Sequence, residues 1–146
     1  MAEPALMPFV DNDEFLRRVR LPDHIKDKTG LVHWRAFKDN DPRMSLTFRD
    51  EELRTDVGLD AYHKYFSDSI GQILPAILWF TFYGLTRGID PPMEPRLDPD
   101  PDDAKYGRLH CSTNCPRDRV HMQLIAKLVN DGEHAGIARR YPKRAA

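Results

Sequence analysis

The chain has almost no cysteine, no apolar run of membrane length and almost no net charge, and each shortage removes a class of explanation. Two of its 146 residues are cysteine, Cys111 and Cys115. A small secreted domain stapled by disulfides carries more, so a reducing compartment, the cytoplasm, is expected. The most apolar stretch, Ile73 to Leu85, is about seven residues short of the roughly 20 that span a bilayer. Pro75 interrupts its start, so it is expected in a core, and no membrane contact is expected. The first residues carry Glu3, Asp11 and Asp13 with prolines at 4 and 8, unlike the basic start and apolar stretch of a secretory signal. Lys plus Arg total 22 against 23 for Asp plus Glu, so bulk charge names no partner. There is no Walker loop, no G-x-G-x-x-G, no H-E-x-x-H and no nucleophile elbow.

Proline is in surplus. The chain has 12 prolines against 8 glycines, and Pro91, Pro92, Pro95, Pro99 and Pro101 crowd one segment. From Ile89 to Asp103 one arginine faces six carboxylates, a balance of −5. Each proline fixes its own φ and extends its predecessor, which predicts a stiff, solvated acidic connector at 89–103. From Ala104 onward nine Lys or Arg face three acids, a balance of +6. The near-neutral total is therefore an average over unlike parts.

Hydrophobic spacing supplies the elements. Asn12-Asp13-Glu14 before Phe15, Leu16 and Val19 reads as a capped helix with Arg17, Arg18 and Arg20 at its end. Leu31 to Phe37 reads as a strand, and Asp39 to Pro42 as a turn. Met44 to Phe48 alternates as a half-buried strand. Asp50 to Leu53 opens a short helix closed by Gly58, and Asp60 caps another through Tyr62, Tyr65 and Phe66. Ala76 to Phe80 reads as a strand followed by a short helix through Tyr83, Leu85 and Thr86, although periodicity leaves strand or helix open over 76–87. Arg108 to Ser112 is a strand. Arg117 to Val129 is a helix with His121, Leu124, Ile125 and Leu128 at i, i+3, i+4, i+7 and Gly132 as its end signal. Together these predict one small α/β (or α+β) domain, a few-stranded sheet covered by short helices, over residues 1–138. Residues 139–146 are expected as a frayed basic tail.

Three constellations carry chemistry. His110, Cys111, Cys115 and His121 offer thiolate and imidazole ligands suited to zinc, or Cys115 as a nucleophile with His110 or His121 as base. Their spacing departs from the usual paired-ligand pattern, and on a strand His110 and Cys111 point to opposite faces. Apolar and proline residues Trp79, Phe82, Tyr83, Pro91, Pro92 and Met93 offer a docking surface for another subunit or a second copy. Arg117, Arg119, Lys127, Arg139, Arg140 and Lys143 offer phosphate contacts to nucleic acid. Trp34 and Trp79 read as core or interface anchors.

Phe37-Lys38-Asp39, Met44-Ser45-Leu46, Gly84-Leu85-Thr86-Arg87-Gly88-Ile89-Asp90-Pro91 and a later His110 together resemble a group of small uncharacterised bacterial proteins of unknown function. The resemblance spans about Val19 to Val129 and implies a compact α/β bacterial protein, an operon accessory, with no activity to transfer. The balance of the sequence falls on a non-catalytic accessory subunit of a bacterial multi-protein system that needs no cofactor. A small enzyme or zinc protein, and a nucleic-acid binder, are the alternatives.

Overall fold

A computed structural model describes residues 9–26, 28–38, 43–114, 116 and 118–141. Six strands form one antiparallel sheet in the order β4-β5-β2-β1-β3-β6. They are β1 (Glu14–Val19), β2 (Arg43–Phe48), β3 (Ala76–Thr81), β4 (Arg96–Leu97), β5 (His110–Asn114) and β6 (Ala135–Arg140). Helices α1 (Asp56–Ile70), α2 (Phe82–Arg87) and α3 (Arg119–Asp131) complete an α/β domain, with 3-10 turns at Pro22–His24, Trp34–Phe37, Glu52–Arg54 and Gly107–Leu109. Among the described residues no helix is long and apolar enough to cross a membrane.

The sheet has a core on each face. Phe15, Val19, Met44, Leu46, Leu78, Phe80 and Cys111 join Phe37 and the α3 residues Met122, Ile125 and Val129 on one side. Leu16 and Ile77 join Leu59 and Tyr62 of α1 with Leu53, Tyr106 and Leu109 on the other. This two-sided burial overturns the expected first helix. Alternate residues of β1 enter opposite cores, so Phe15, Leu16 and Val19 are all buried in the strand that pairs with both β2 and β3. Apolar spacing i, i+1, i+4 is the footprint of a helical stripe, and equally of a central strand covered on both faces.

The expected strand at Leu31 to Phe37 is replaced by a 3-10 turn. His33 caps it, with Nδ1 accepting the Arg35 N–H at 3.1 Å, while Val32 makes only an isolated bridge to Ile25. The expected turn at 39–42 lies outside the described residues. Gly58 closes nothing. It lies in the first turn of α1, donating to the Thr55 hydroxyl at 3.0 Å, and a Cβ there would meet the Glu52 carbonyl at 1.9 Å. Thr55, not Asp60, is the cap, and α1 ends at Gly71 with φ +72°.

Ala76 to Phe80 is the expected strand, and α2 follows it. In α3 the buried stripe is His121, Met122, Ile125, Ala126 and Val129, rotated from the expected one, and Leu124 is 40% exposed. Arg139 and Arg140 do not fray; they pair with Ile77 and Ala76 of β3 in an edge strand, with a bulge at Ala138.

The proline-rich segment is fastened to the domain. Ile89 and Met93 enter the α3-side core, the Met93 N–H donates to the Leu85 carbonyl at 2.8 Å, and Arg96 and Leu97 pair with Ser112 and Cys111. Met93 is 0% exposed, so Met93→Ala opens a cavity and should cost about 2–5 kcal/mol. Urea denaturation checks this; a change below about 0.5 kcal/mol would mean that the segment is not anchored there.

Candidate functional site

Of the four His and Cys residues, the three described ones, His110, Cys111 and His121, do not converge. Cys111 faces the α3-side core with its thiol pushed up to about 12 by burial. His110 faces the other way beside Thr47, and its Nδ1–H donates to the Asp98 carbonyl at 2.6 Å. His121 lies on α3, across the sheet from His110, 4% exposed. One ion cannot reach residues on both faces of a sheet, so His110 cannot share a metal with Cys111 or His121. Among the described residues no group of three or more potential ligands gathers elsewhere. Cys115 lies outside them. Cys111 has neither the exposure nor the thiolate character of a nucleophile.

The docking candidates are split as well. Trp79 faces the α1 side, its indole against Gly136. Phe82 is half-buried with Phe9 and Phe15, and Met93 belongs to the core rather than to a surface. Tyr83, beside Arg87 and His134, and the prolines 91 and 92 are exposed.

The cationic candidates also separate. Arg139 reaches Asp56 at 2.5 Å and Asp60 at 2.7 Å on the α1 side. Tyr141 completes that cluster by donating to Asp60, and this hydrogen bond, with the arginine, holds the Asp60 carboxyl below its ordinary range. Arg140 donates to the Gly30 carbonyl. Arg117 and Lys143 lie outside the described residues. Arg119 and Lys127, by contrast, meet in one groove.

That groove runs between α3 and the segment from Lys26 to Trp34, with a volume of about 440 Å³. Arg119, Gln123, Ala126, Lys127 and Asn130 recur at i, i+4, i+7, i+8 and i+11, one stripe of α3. Opposite stand Lys26, His33 and Trp34. The Asn130 side chain closes the base. Its Oδ1 accepts the Val32 N–H at 2.8 Å and its Nδ2 donates to the Val32 carbonyl at 3.0 Å. The Arg119 guanidinium lies 4.9 Å from the Trp34 ring centroid and the Arg35 guanidinium 5.7 Å; the His33 ring is 5.3 Å away, tilted by 36°.

The groove is electropositive. Desolvation, then Arg35, Lys26 and Arg119, lower the His33 pKa, with Asp23 opposing. His24 behind it is lowered chiefly by burial, and its Nδ1 is one of three buried side-chain polar atoms without a hydrogen-bond partner among the described residues. Sequence reasoning missed Lys26, His33, Arg35 and Asn130; its reading of Trp34 as a core or interface anchor agrees with the half-buried indole packed against the α3-side core. The available signal was local: a His-Trp-Arg triplet, with four cations against one acid, Asp27, from position 26 to 38.

No protein-family model, curated protein or solved structure matches the chain.

Two outcomes follow from this geometry. Asn130→Ala removes both Val32 hydrogen bonds and should cost about 1–2 kcal/mol, with a red-shifted tryptophan emission as Trp34 gains water. An unchanged emission maximum and midpoint would show that the clamp does not hold the wall. His24 and His33 have folded pKa values below 6.5, so on acidification the unfolded chain takes up protons first. Their contribution to stability is full above about pH 6.5 and falls as pH drops below it. The urea midpoint should decline from pH 7.5 to pH 5.5, and less so in the His24→Gln, His33→Asn double variant.

Proposed function

We propose that this protein is a non-catalytic binding subunit that recognises an anionic partner in the groove between Trp34 and α3. One observation carries the reading. Lys26, Arg35 and Arg119 have no carboxylate partner among the described residues, and all three surround this groove. The fourth cation of the groove, Lys127, stands 3.9 Å from Asp131. Elsewhere Arg49 and Arg54 face Glu14, Arg87 faces Asp11, Arg108 faces Asp50 and Arg139 faces Asp56 and Asp60, while Arg20, Arg96 and Lys105 lie apart from one another without a carboxylate partner among the described residues. Cations left together without counter-charges attract an external anion.

The lining also argues for binding over catalysis. It contains no carboxylate, thiol or hydroxyl side chain, and His33 uses Nδ1 to cap its own turn. Nothing there forms a nucleophile–base pair.

An accessory role is supported separately by the proline-rich segment. Tyr83 and the prolines 91 and 92 are exposed, while Met93 beside them is anchored in the core. A surface already ordered loses less entropy on docking a protein subunit. A buried, unpaired Cys111 suits a reducing compartment, and we place the protein in the cytoplasm.

Affinity for a simple polyanion tests the groove. Binding of inorganic polyphosphate, read by calorimetry, should weaken as salt rises. Arg119→Ala and Lys127→Ala should each lower affinity at 0.1 M salt by about five- to tenfold. Binding that ignores both substitutions would end this reading.

A further inference from the structure

We propose that the groove takes a single-stranded nucleic-acid segment, with phosphates on Arg119, Lys127 and Lys26 and a base against Trp34. This deepens the anion-binding reading and rests on it. The first step is the pairing of chemistries. An acidic peptide or free phosphate would use the cations and make no use of the part of the indole that borders them. A single strand offers a repeating anion and exposed base faces together, which suits a cationic track beside an aromatic ring. A duplex keeps its base faces stacked inward, so it too would leave the indole unused.

The dimensions agree. Arg119 and Lys127 are eight residues apart on α3, which separates them by about 12 Å along one wall of the groove. Lys26 stands across from them. The track is thus long enough for more than one phosphate, and the half-buried indole, packed on the α3-side core, borders it.

The present partner of the ring also fits. Arg119 lies over Trp34 and has no acid partner among the described residues. A guanidinium held by its face keeps its edge N–H groups for phosphate oxygens. An arriving base can take the ring face as Arg119 turns to the backbone, so one contact is exchanged for two.

Discrimination between bases has little to work with. Asn130, the side chain best shaped to read adenine, is committed to Val32 on both of its groups. Gln123 is the remaining amide in the lining. The site should therefore accept different sequences with similar affinity and discriminate mainly by strandedness.

The test is fluorescence anisotropy on the full chain with labelled dT12, a 12-base-pair duplex and a glutamate decapeptide, over a salt series. The expected result is preferential binding of dT12, with a log–log salt slope of about −1.4 to −2.1 for two to three phosphate contacts. Arg119→Ala should reduce the slope by about 0.7. Trp34→Ala should weaken dT12 by about 5- to 150-fold, whereas Trp34→Phe should restore most of the loss. Lys64→Ala, on α1, should change nothing; unfolding midpoints confirm that each variant is folded. Equal affinity for the duplex, or indifference to Trp34→Ala in a folded variant, overturns the single-strand inference and leaves the anion groove standing. Decapeptide binding that depends on Arg119, with no dT12 binding, does the same and points to an acidic protein. Binding of dT12 indifferent to Arg119→Ala and Lys127→Ala overturns both readings.

Discussion

Arg17 is the residue on which the arrangement turns. It sits in the middle of β1, 9% exposed, on the α3 face of the sheet. A buried guanidinium is costly unless its N–H groups are satisfied. Here Nε and Nη2 donate to the Ala36 carbonyl at 3.2 and 2.9 Å, and Nη1 reaches the Ser45 carbonyl at 3.4 Å. The cation therefore fixes the 3-10 turn at Trp34–Phe37 against the sheet. Phe37 then seals the core beneath it, with the Arg17 guanidinium 5.9 Å from the ring. Trp34 is set two residues before Ala36 in that turn, so the wall of the groove is positioned by a charge inside the fold.

The second wall is held by different means. Asp118 caps α3, its carboxylate accepting the His121 N–H at 2.8 Å, and Gly132 ends the helix with φ +76°. Asn130 then joins the last turn of α3 to Val32. Arg140 contributes at one remove: it donates to the Gly30 carbonyl, and the Gly30 N–H donates to the Lys26 carbonyl at 2.7 Å. An arginine that reads in the sequence as a phosphate contact thus braces the loop that carries Lys26. It is a positioning residue.

What could be read from the sequence follows from how local its causes are. Ala76 to Arg87 reads as strand then helix from residues that are neighbours in the chain, although its period leaves the choice open, and Thr81 caps α2 from the adjacent position. The α3 helix was legible from its period and from Gly132. β1 was not, because two-sided burial depends on α1 and α3 arriving from distant parts of the chain, and Phe15 and Leu16 carry no mark of it. The groove was half legible. Arg119 and Lys127 stand out as cations, but their meeting with Lys26 and Trp34 requires Arg17 and Asn130 to bring separate segments together. The proline cluster read as solvated because prolines and acids dominate it, whereas Ile89 and Met93 decide where it lies.

Charge segregation gives the fold its functional direction. A chain of net charge −1 can distribute its ions evenly or sort them, and this one sorts them. Arg139 pairs with Asp56 and Asp60 across α1 and β6, and Glu14 pairs with Arg49 and Arg54 at the start of β1. Solvent-exposed pairs of this kind add little stability. Their larger effect is to cancel charge locally, on the α1 side and at the start of β1. Beside the indole, burial and then the charges of Arg35, Lys26 and Arg119 lower the His33 pKa. An anion approaching that face meets Lys26, Arg35 and Arg119 together, which is the condition for steering it there.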